Sequence, residues 1–129
     1  MIDRIDYRLS GKAWAVIEQQ LTSPDASRLR ARYRSLPTML RTSGLVVTLG
    51  FLVGRDAVTK LVARELYALV RMEVAGLADT ELLFLAKADE LLDPAESKIV
   101  EASQVAQIAA DHLKRAAEVL LPSPTAGDQ

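Results

Sequence analysis

The chain contains no cysteine, and histidine occurs once, as His112. The lack of cysteine excludes disulfide bonds and thiolate metal sites and suits a reducing compartment. Aromatic residues make up only 5% of the 129 positions, whereas alanine and leucine recur throughout, which favours helices over sheets. The longest apolar run, residues 45–53, is far shorter than the ~20 residues that cross a bilayer, and the opening MIDRIDYR lacks the apolar segment of a signal peptide. We expect a soluble, cytoplasmic protein that contacts no membrane.

Patterns that carry catalysis or bind metals are also scarce. A metal site needs several ligands, and the sequence offers His112 no cysteine or second histidine. The glycines between residues 44 and 54 are not followed by the Gly-Lys-Ser or Gly-Lys-Thr of a phosphate loop. Glu65 is the one carboxylate that falls on an apolar helix face. We interpret it as a packing residue paired with an arginine, and His112 as a buried or interface imidazole. We expect no enzyme activity, metal, cofactor or small-molecule substrate.

The net charge of −1 hides an asymmetry between the two halves of the chain. Residues 1–60 contain ten Lys/Arg and five Asp/Glu, whereas residues 61–129 contain six and twelve. One interpretation is ordinary variation on solvated helix faces. The other is a molecule with a basic face for an anionic polymer and an acidic surface for a basic neighbour.

The spacing of apolar residues predicts helices along nearly the whole chain. Caps formed by aspartate or serine, two of them followed by proline, mark where helices begin. The predicted helices cover residues 3–21, from 23 to at least 35, 45–53, 56–74, 80–92 and 93–121. We therefore expect an all-α, compact single-domain bundle of about five or six helices over residues 1–121, followed by a flexible C-terminal tail at 122–129.

A proline and a glycine interrupt the helical pattern between residues 32 and 52. Pro37 lacks a backbone N–H and disfavours helical geometry in the residues before it, so we predict a kink there. Gly44 is predicted to end the segment as a left-handed cap. Residues 45–53 are apolar on nearly every side, which indicates a buried central helix with Phe51 in the core. The VVTLGFLV core of this run could also form a strand, because periodicity does not decide between the two for so short a run.

Basic residues fall at helical spacing on three segments. Arg30, Arg34 and Arg41 flank the apolar stripe of the second helix. Lys60, Arg64 and Arg71 form a ridge on the next long helix with Tyr67 among them, and this tyrosine is predicted to rest against an exposed base or sugar. Lys114 and Arg115 are a smaller third candidate. All eight basic residues are candidate RNA-binding positions, with a solvated helix face as the alternative for each.

The residues around the proline and glycine resemble a known family. Leu36-Pro37, Leu40, Ser43-Gly44-Leu45, Leu49 and Phe51-Leu52 are similar to the L-P-x-x-[LI]-x-x-[NS]-G-L-x-x-x-L-x-F-L signature of the small subunit of type III-B CRISPR effector complexes, the Cmr complexes. Near the C-terminus, Leu113-Lys114-Arg115 and Ala117-Glu118 resemble the family's L-K-R-F-A-E ending. The sequence departs from it with Ala116 in place of an aromatic and His112 in place of tryptophan.

The resemblance implies a non-catalytic all-helical subunit that stacks along the backbone of an antiviral ribonucleoprotein. Its partners would be other Cmr-type subunits, copies of itself, guide RNA and target RNA. The basic helix faces agree with this role, because lysine and arginine hold phosphates without reading sequence. The acidic half of one copy could dock against the basic half of another.

Two other classes of function stay open. One is a purely structural adaptor whose arginines make protein contacts only, or the small subunit of a related type III complex. The other is a helical regulator that binds DNA through a helix-turn-helix at residues 37–53. A second helix that is almost entirely apolar could not read a major groove, which argues against the regulator.

Overall fold

The computed structural model of the chain describes residues 2–75, 77 and 96–123. These residues form four helices and no strand, so the all-α prediction is confirmed, whereas the expected count of five or six helices is wrong for the described part of the chain. The helix predicted over 80–92 and most of the predicted tail lie outside the described residues. The four helices are α1 (Ile2–Glu18), α2 (Ala26–Val53), α3 (Ala57–Glu73) and α4 (Glu96–Leu120).

One hydrophobic core lies between these helices, and α4 packs against each of the other three. The apolar residues at helical spacing on α1, α2 and α3 face this core. Helix α4 contributes mainly small side chains, which let its neighbours approach closely. The buried residues include Leu9, Ala13 and Ile17 of α1, Leu29, Tyr33 and Leu36 of α2, Val62 and Leu66 of α3, and Ala102, Ala106, Ala109 and Leu113 of α4.

Polar contacts define the ends of α3. Its predicted start is confirmed, because the Asp56 carboxylate accepts a hydrogen bond from the Thr59 backbone N–H at 3.0 Å and caps the first turn. At the other end, Arg8 of α1 donates to both oxygens of Glu73, at 2.6 and 3.1 Å. This two-point ion pair connects α1 to α3 with the planar geometry that arginine and carboxylate favour.

Helix α2 bends at Gly44 and not at Pro37, so the predicted proline kink is wrong. Within α2, the backbone leaves helical geometry at Gly44 alone, where φ is 81° and ψ is 170°. That region of conformational space is essentially restricted to glycine. The predicted interruption is therefore present, although its geometry is not that of a left-handed cap. Pro37 is accommodated inside the helix with its ring buried, and its carbonyl accepts a hydrogen bond from Gln107 of α4 at 3.2 Å.

Residues 45–53 form the last part of α2, which settles the choice between helix and strand. Only one side of this segment is buried, and its buried side chains include Leu45, Leu49 and Leu52. Val47 is 61% exposed and Phe51 43% exposed, so the predictions that the segment is central and that Phe51 belongs to the core are wrong. An apolar run in a helix points side chains in all directions, and the neighbouring helices cover only part of its circumference.

By length and composition alone, α2 could span a membrane, since a stretch of 18 residues in it reaches a mean hydropathy of 1.5. The core helices of water-soluble proteins pass the same test. Ten α2 residues are buried against the rest of the protein, and the bend at Gly44 divides the helix. The hydropathy of α2 is therefore weak evidence for membrane insertion.

Candidate nucleic-acid interface

The predicted basic ridge of α3 lies on the outer face of that helix. Lys60, Arg64 and Arg71 are exposed and fall within about 40° of arc over ~16 Å of helix. Lys60 and Arg64 line an open groove of about 430 Å³ whose other described lining residues are Ala57 and Leu61. The structure therefore brings these two cations together at the edge of one apolar depression.

The acidic residues of α3 are engaged or partly withdrawn from solvent. Thr59 hydrogen-bonds Asp56 and lowers the pKa of its carboxyl group, an effect that Arg28 strengthens through an ion pair at 3.4 Å. The hydrogen bond from Arg8 lowers the pKa of Glu73, whose side chain is 7% exposed. Burial raises the pKa of Glu65, and the charge of Arg64 opposes that shift. Positive charge consequently dominates the outer face of α3.

Tyr67 does not belong to this ridge, contrary to the prediction. Its side chain is fully buried, so it cannot stack on a base. Among these positions Tyr67 lies nearest the buried side of α3, next to the buried residues Ala63 and Val70. The aromatic contribution expected at this surface is therefore absent from α3.

The predicted ridge of α2 is only partly presented to solvent. Because α2 continues through Pro37, Arg30, Arg34 and Arg41 stay aligned on one helix face. Arg34 and Arg41 are exposed, but Arg30 is half-buried, and its Nε has no hydrogen-bond partner within the described part of the chain. Arg34 forms an ion pair at 3.4 Å with Glu118 of α4. Arg41 contacts the Thr38 hydroxyl at 3.5 Å.

The third candidate, Lys114 and Arg115, lies next to the α2 ridge. Lys114 precedes Glu118 by one turn of α4 and therefore occupies the same helix face. The Arg34–Glu118 ion pair brings that face against the α2 ridge. Arg115 is exposed, whereas Lys114 is half-buried. The eight predicted cations thus fall into two surfaces, one on α3 and one shared by α2 and α4.

The chemistry available at these surfaces is electrostatic. Lysine and arginine at intervals along a helix can neutralise successive phosphates, and neither side chain type distinguishes one base from another in such contacts. Among the described residues, no cluster of three or more histidine or acidic side chains is arranged to hold a metal ion. His112 is buried with its Nε2 2.5 Å from the Asp6 carboxylate, as the structural interpretation of this residue predicted.

Sequence reasoning missed the apolar floor of the α3 groove. Ala57 and Leu61 each precede one of its cations by three residues, and residues three apart are neighbours on a helix surface. That spacing was a usable signal. The sequence alone could not reveal that Ala57 is exposed and Leu61 only partly buried in the described part of the chain.

Comparison with known proteins identifies one family. The family model described as "CRISPR-associated protein (Cas_Cmr5)" matches residues 7–120, which include all four helices apart from the first turn of α1. No curated protein and no solved structure matches the chain.

Proposed function

The chain belongs to the Cmr5 family of CRISPR-associated proteins, the small subunit of type III-B complexes, and on that premise we propose that it is a non-catalytic subunit that holds RNA. In this proposal its basic helix faces contact the phosphates of guide and target RNA inside the assembled complex. Copies of the chain stack along the complex backbone, beside the other Cmr subunits and in the cytoplasm.

The observation that carries the proposal is the α3 groove. Lys60 and Arg64 stand together at its edge, while hydrogen bonds and ion pairs engage the acidic residues at both ends of the helix. Repulsion between phosphate and carboxylate is thereby reduced on this face. A ridge of ~16 Å is long enough for several backbone contacts, which suits binding without sequence preference.

The surface shared by α2 and α4 ranks second. Arg34 and Arg41 are exposed, but Arg30 and Lys114 are half-buried, and a phosphate at Arg34 would have to share or displace the Glu118 carboxylate. Arg30 ranks lowest of the α2 cations because part of its guanidinium is buried.

The proposal is tested by charge reversal in the whole complex. Lys60→Glu should lower the affinity for target RNA equally for unrelated sequences. It should also reduce the slope of log K against log salt by about 1 if one phosphate contact is lost. Arg4→Glu is the matched control, since Arg4 is exposed on α1 and belongs to neither predicted set of cations. An Arg34→Glu/Arg41→Glu variant reports on the second surface in the same assay.

Two results would contradict the RNA-holding role. One is an unchanged affinity and salt slope in both the Lys60 and the Arg34/Arg41 variants. The other is an equal loss of RNA affinity in the Arg4→Glu control, which would show that the effect follows from net charge and not from the position of the residue. Each variant must first be shown to enter the complex in normal amount.

A purely structural adaptor is the second candidate, and the ion pairs of α2 favour it. Arg28 contacts Asp56, and Arg34 contacts Glu118, so part of the arginine content already serves contacts within the chain. Copurification from the native host, followed by sequencing of bound RNA, separates the two functions. Copurification of other Cmr subunits, with no RNA bound to this chain, would support the structural adaptor.

A further inference from the structure

A small cleft lies where the start of α2 meets the start of α3. Its volume is about 190 Å³, and a cavity of ~150 Å³ is already large enough to bind benzene, so the cleft admits one planar ring. Leu29 and Val58 are buried and give it an apolar floor, whereas Ser23 and Asp25 add a hydroxyl group and a carboxylate. The described lining residues are Ser23, Asp25, Leu29, Ala57, Val58 and Leu61.

The carboxylate of the cleft keeps capacity to accept hydrogen bonds. Asp25 stands at the N-cap of α2, yet its side chain makes no capping hydrogen bond. One of its oxygens, Oδ1, pairs with Arg28 at 3.5 Å, and both side chains are about half exposed. Such exposed ion pairs are weak, and an ionised carboxylate has about four acceptor positions. The contact with Arg28 therefore does not exhaust Asp25.

The hydroxyl of Ser23 supplies a donor beside this acceptor. Its Oγ accepts a hydrogen bond from the backbone N–H of Asp25 at 3.1 Å, which fixes the oxygen and leaves the O–H to donate to another group. The polar part of the cleft thus presents one acceptor and one donor close together.

The cleft adjoins the α3 groove. Ala57 and Leu61 line both depressions, so they form a shared wall with Lys60 on its other side. Lys60 is exposed, whereas the charge of Arg64 also acts on Glu65, so Lys60 is the cation assigned to a ligand at this wall. A ligand lying across the wall would place an anionic group against Lys60 and a planar ring in the cleft.

We propose that the cleft binds the base of one unpaired RNA nucleotide whose phosphate is held by Lys60. The inference rests on the proposed contact between α3 and RNA phosphates and adds recognition of a base to it. Single-stranded nucleotides are commonly held by an apolar surface under the base and by hydrogen bonds to its edge. An apolar side chain of a partner protein would fill the cleft but leave Lys60, Asp25 and Ser23 without ligand groups.

The acceptor and the donor predict which base is favoured. Guanine presents two parallel N–H donors, N1–H and N2–H, which one carboxylate accepts together, and its O6 lies next to them for the Ser23 hydroxyl. Adenine and cytosine offer Asp25 one amino group each. Uracil has a single N–H between two carbonyl oxygens that repel a carboxylate. The expected order of affinity is therefore guanine first and uracil last.

Titration of the isolated full-length chain with GMP, AMP, CMP, UMP and inorganic phosphate, followed by amide chemical shifts, tests this inference. GMP should shift the amides of Ser23 and Asp25 and bind roughly 2- to 10-fold more tightly than UMP, the range of one net hydrogen bond. Inorganic phosphate should shift Lys60 without shifting the two cleft residues. Lys60→Gln should weaken all four nucleotides alike.

Asp25→Asn should remove the preference for GMP over UMP. This substitution leaves the fold intact, because the Asp25 side chain makes no capping hydrogen bond. Asp111→Asn is the matched control, since Asp111 is an exposed acid on α4 outside the cleft, and it should keep the preference. Thermal unfolding verifies that both variants fold.

A second pair of variants fills the cleft without changing charge. Ala57→Leu adds apolar volume at the shared wall and should abolish the shifts of Ser23 and Asp25 while the response to inorganic phosphate remains. Ala31→Leu, at an exposed position of α2, is the matched control and should bind GMP as the unmodified chain does.

Equal affinity for GMP and UMP would overturn the inference, as would nucleotide shifts confined to the Lys60 side of the wall. Cleft amides that respond to another Cmr subunit but to no nucleotide would assign the cleft to a protein contact instead. In each of these cases Lys60→Glu can still lower RNA affinity in the assembled complex. Failure of base recognition is therefore distinguished from failure of the RNA-holding role.

Discussion

Replacing Gly44 by alanine is expected to destabilise the protein through backbone strain alone. Gly44 has φ of 81° and ψ of 170°, a conformation that costs about 1–3 kcal/mol for a residue with a side chain. A Cβ atom at this position would meet nothing within 4 Å, so no steric clash adds to that cost. For a chain of this size, the expected loss corresponds to a fall of roughly 3–15 °C in melting temperature.

Gly50 supplies the control in the same helix. It is exposed, has helical geometry, and also has open space around its Cβ position. Gly50→Ala should therefore stabilise the protein by about 0.5–1 kcal/mol, because glycine in a helix interior is entropically unfavourable. Urea unfolding followed by far-ultraviolet circular dichroism gives both free energies of unfolding and shows whether the m-value changes.

The two substitutions are expected to change the free energy of unfolding in opposite directions, so their measurement can refute the reasoning. If Gly44→Ala stabilised the protein as Gly50→Ala does, α2 would have to be straight at residue 44, and the bend described above would be refuted. A stability loss in Gly50→Ala of the same size would show instead that its helix face is covered.

Phe51→Ala should lower the free energy of unfolding by only about 1 kcal/mol, because its ring is partly exposed. Leu49→Ala, on the buried side of the same segment, should lower it by about 2–5 kcal/mol. Equal losses of stability in thermal or urea unfolding would contradict this assignment of faces. The ion pair with Arg8 lowers the pKa of Glu73 in the folded protein, so its stabilisation is fully present above the ordinary glutamate pKa of ~4.3 and disappears as the pH falls through the folded value. Glu73→Gln should therefore be less stable than the unmodified protein at pH 7 and approach it in acid, and a difference that stays constant from pH 7 to 3 would rule out this linkage.

Much of the candidate site could be predicted because helical periodicity is a local property. The spacing of Lys60, Arg64 and Arg71 places them on one face wherever α3 lies, and the structure presents all three to solvent. Their role in binding RNA stays a prediction. Tyr67 shares their angular position but is buried, because burial depends on which neighbouring helix covers each turn.

The break in α2 likewise has one feature that the local sequence predicts and one that tertiary packing decides. A proline and a glycine seven residues apart signalled an interruption, but local rules favoured Pro37 as the kink. In the folded protein α2 bends at Gly44 instead. Tertiary packing accommodates Pro37 inside the helix, where its ring is buried and its carbonyl accepts a hydrogen bond from Gln107 of α4.

The amino-acid sequence by itself determined the helical fold class, the start of α3 at its Asp56 cap, the apolar faces of the first three helices and the alignment of the basic residues. Each of these follows from interactions within a few turns of chain. The exposure of Phe51, the burial of Tyr67 and the partnership of Arg34 with Glu118 were decided only by tertiary structure. They depend on how closely helices distant in sequence approach one another, and this packing is a property of the whole bundle that no local spacing encodes.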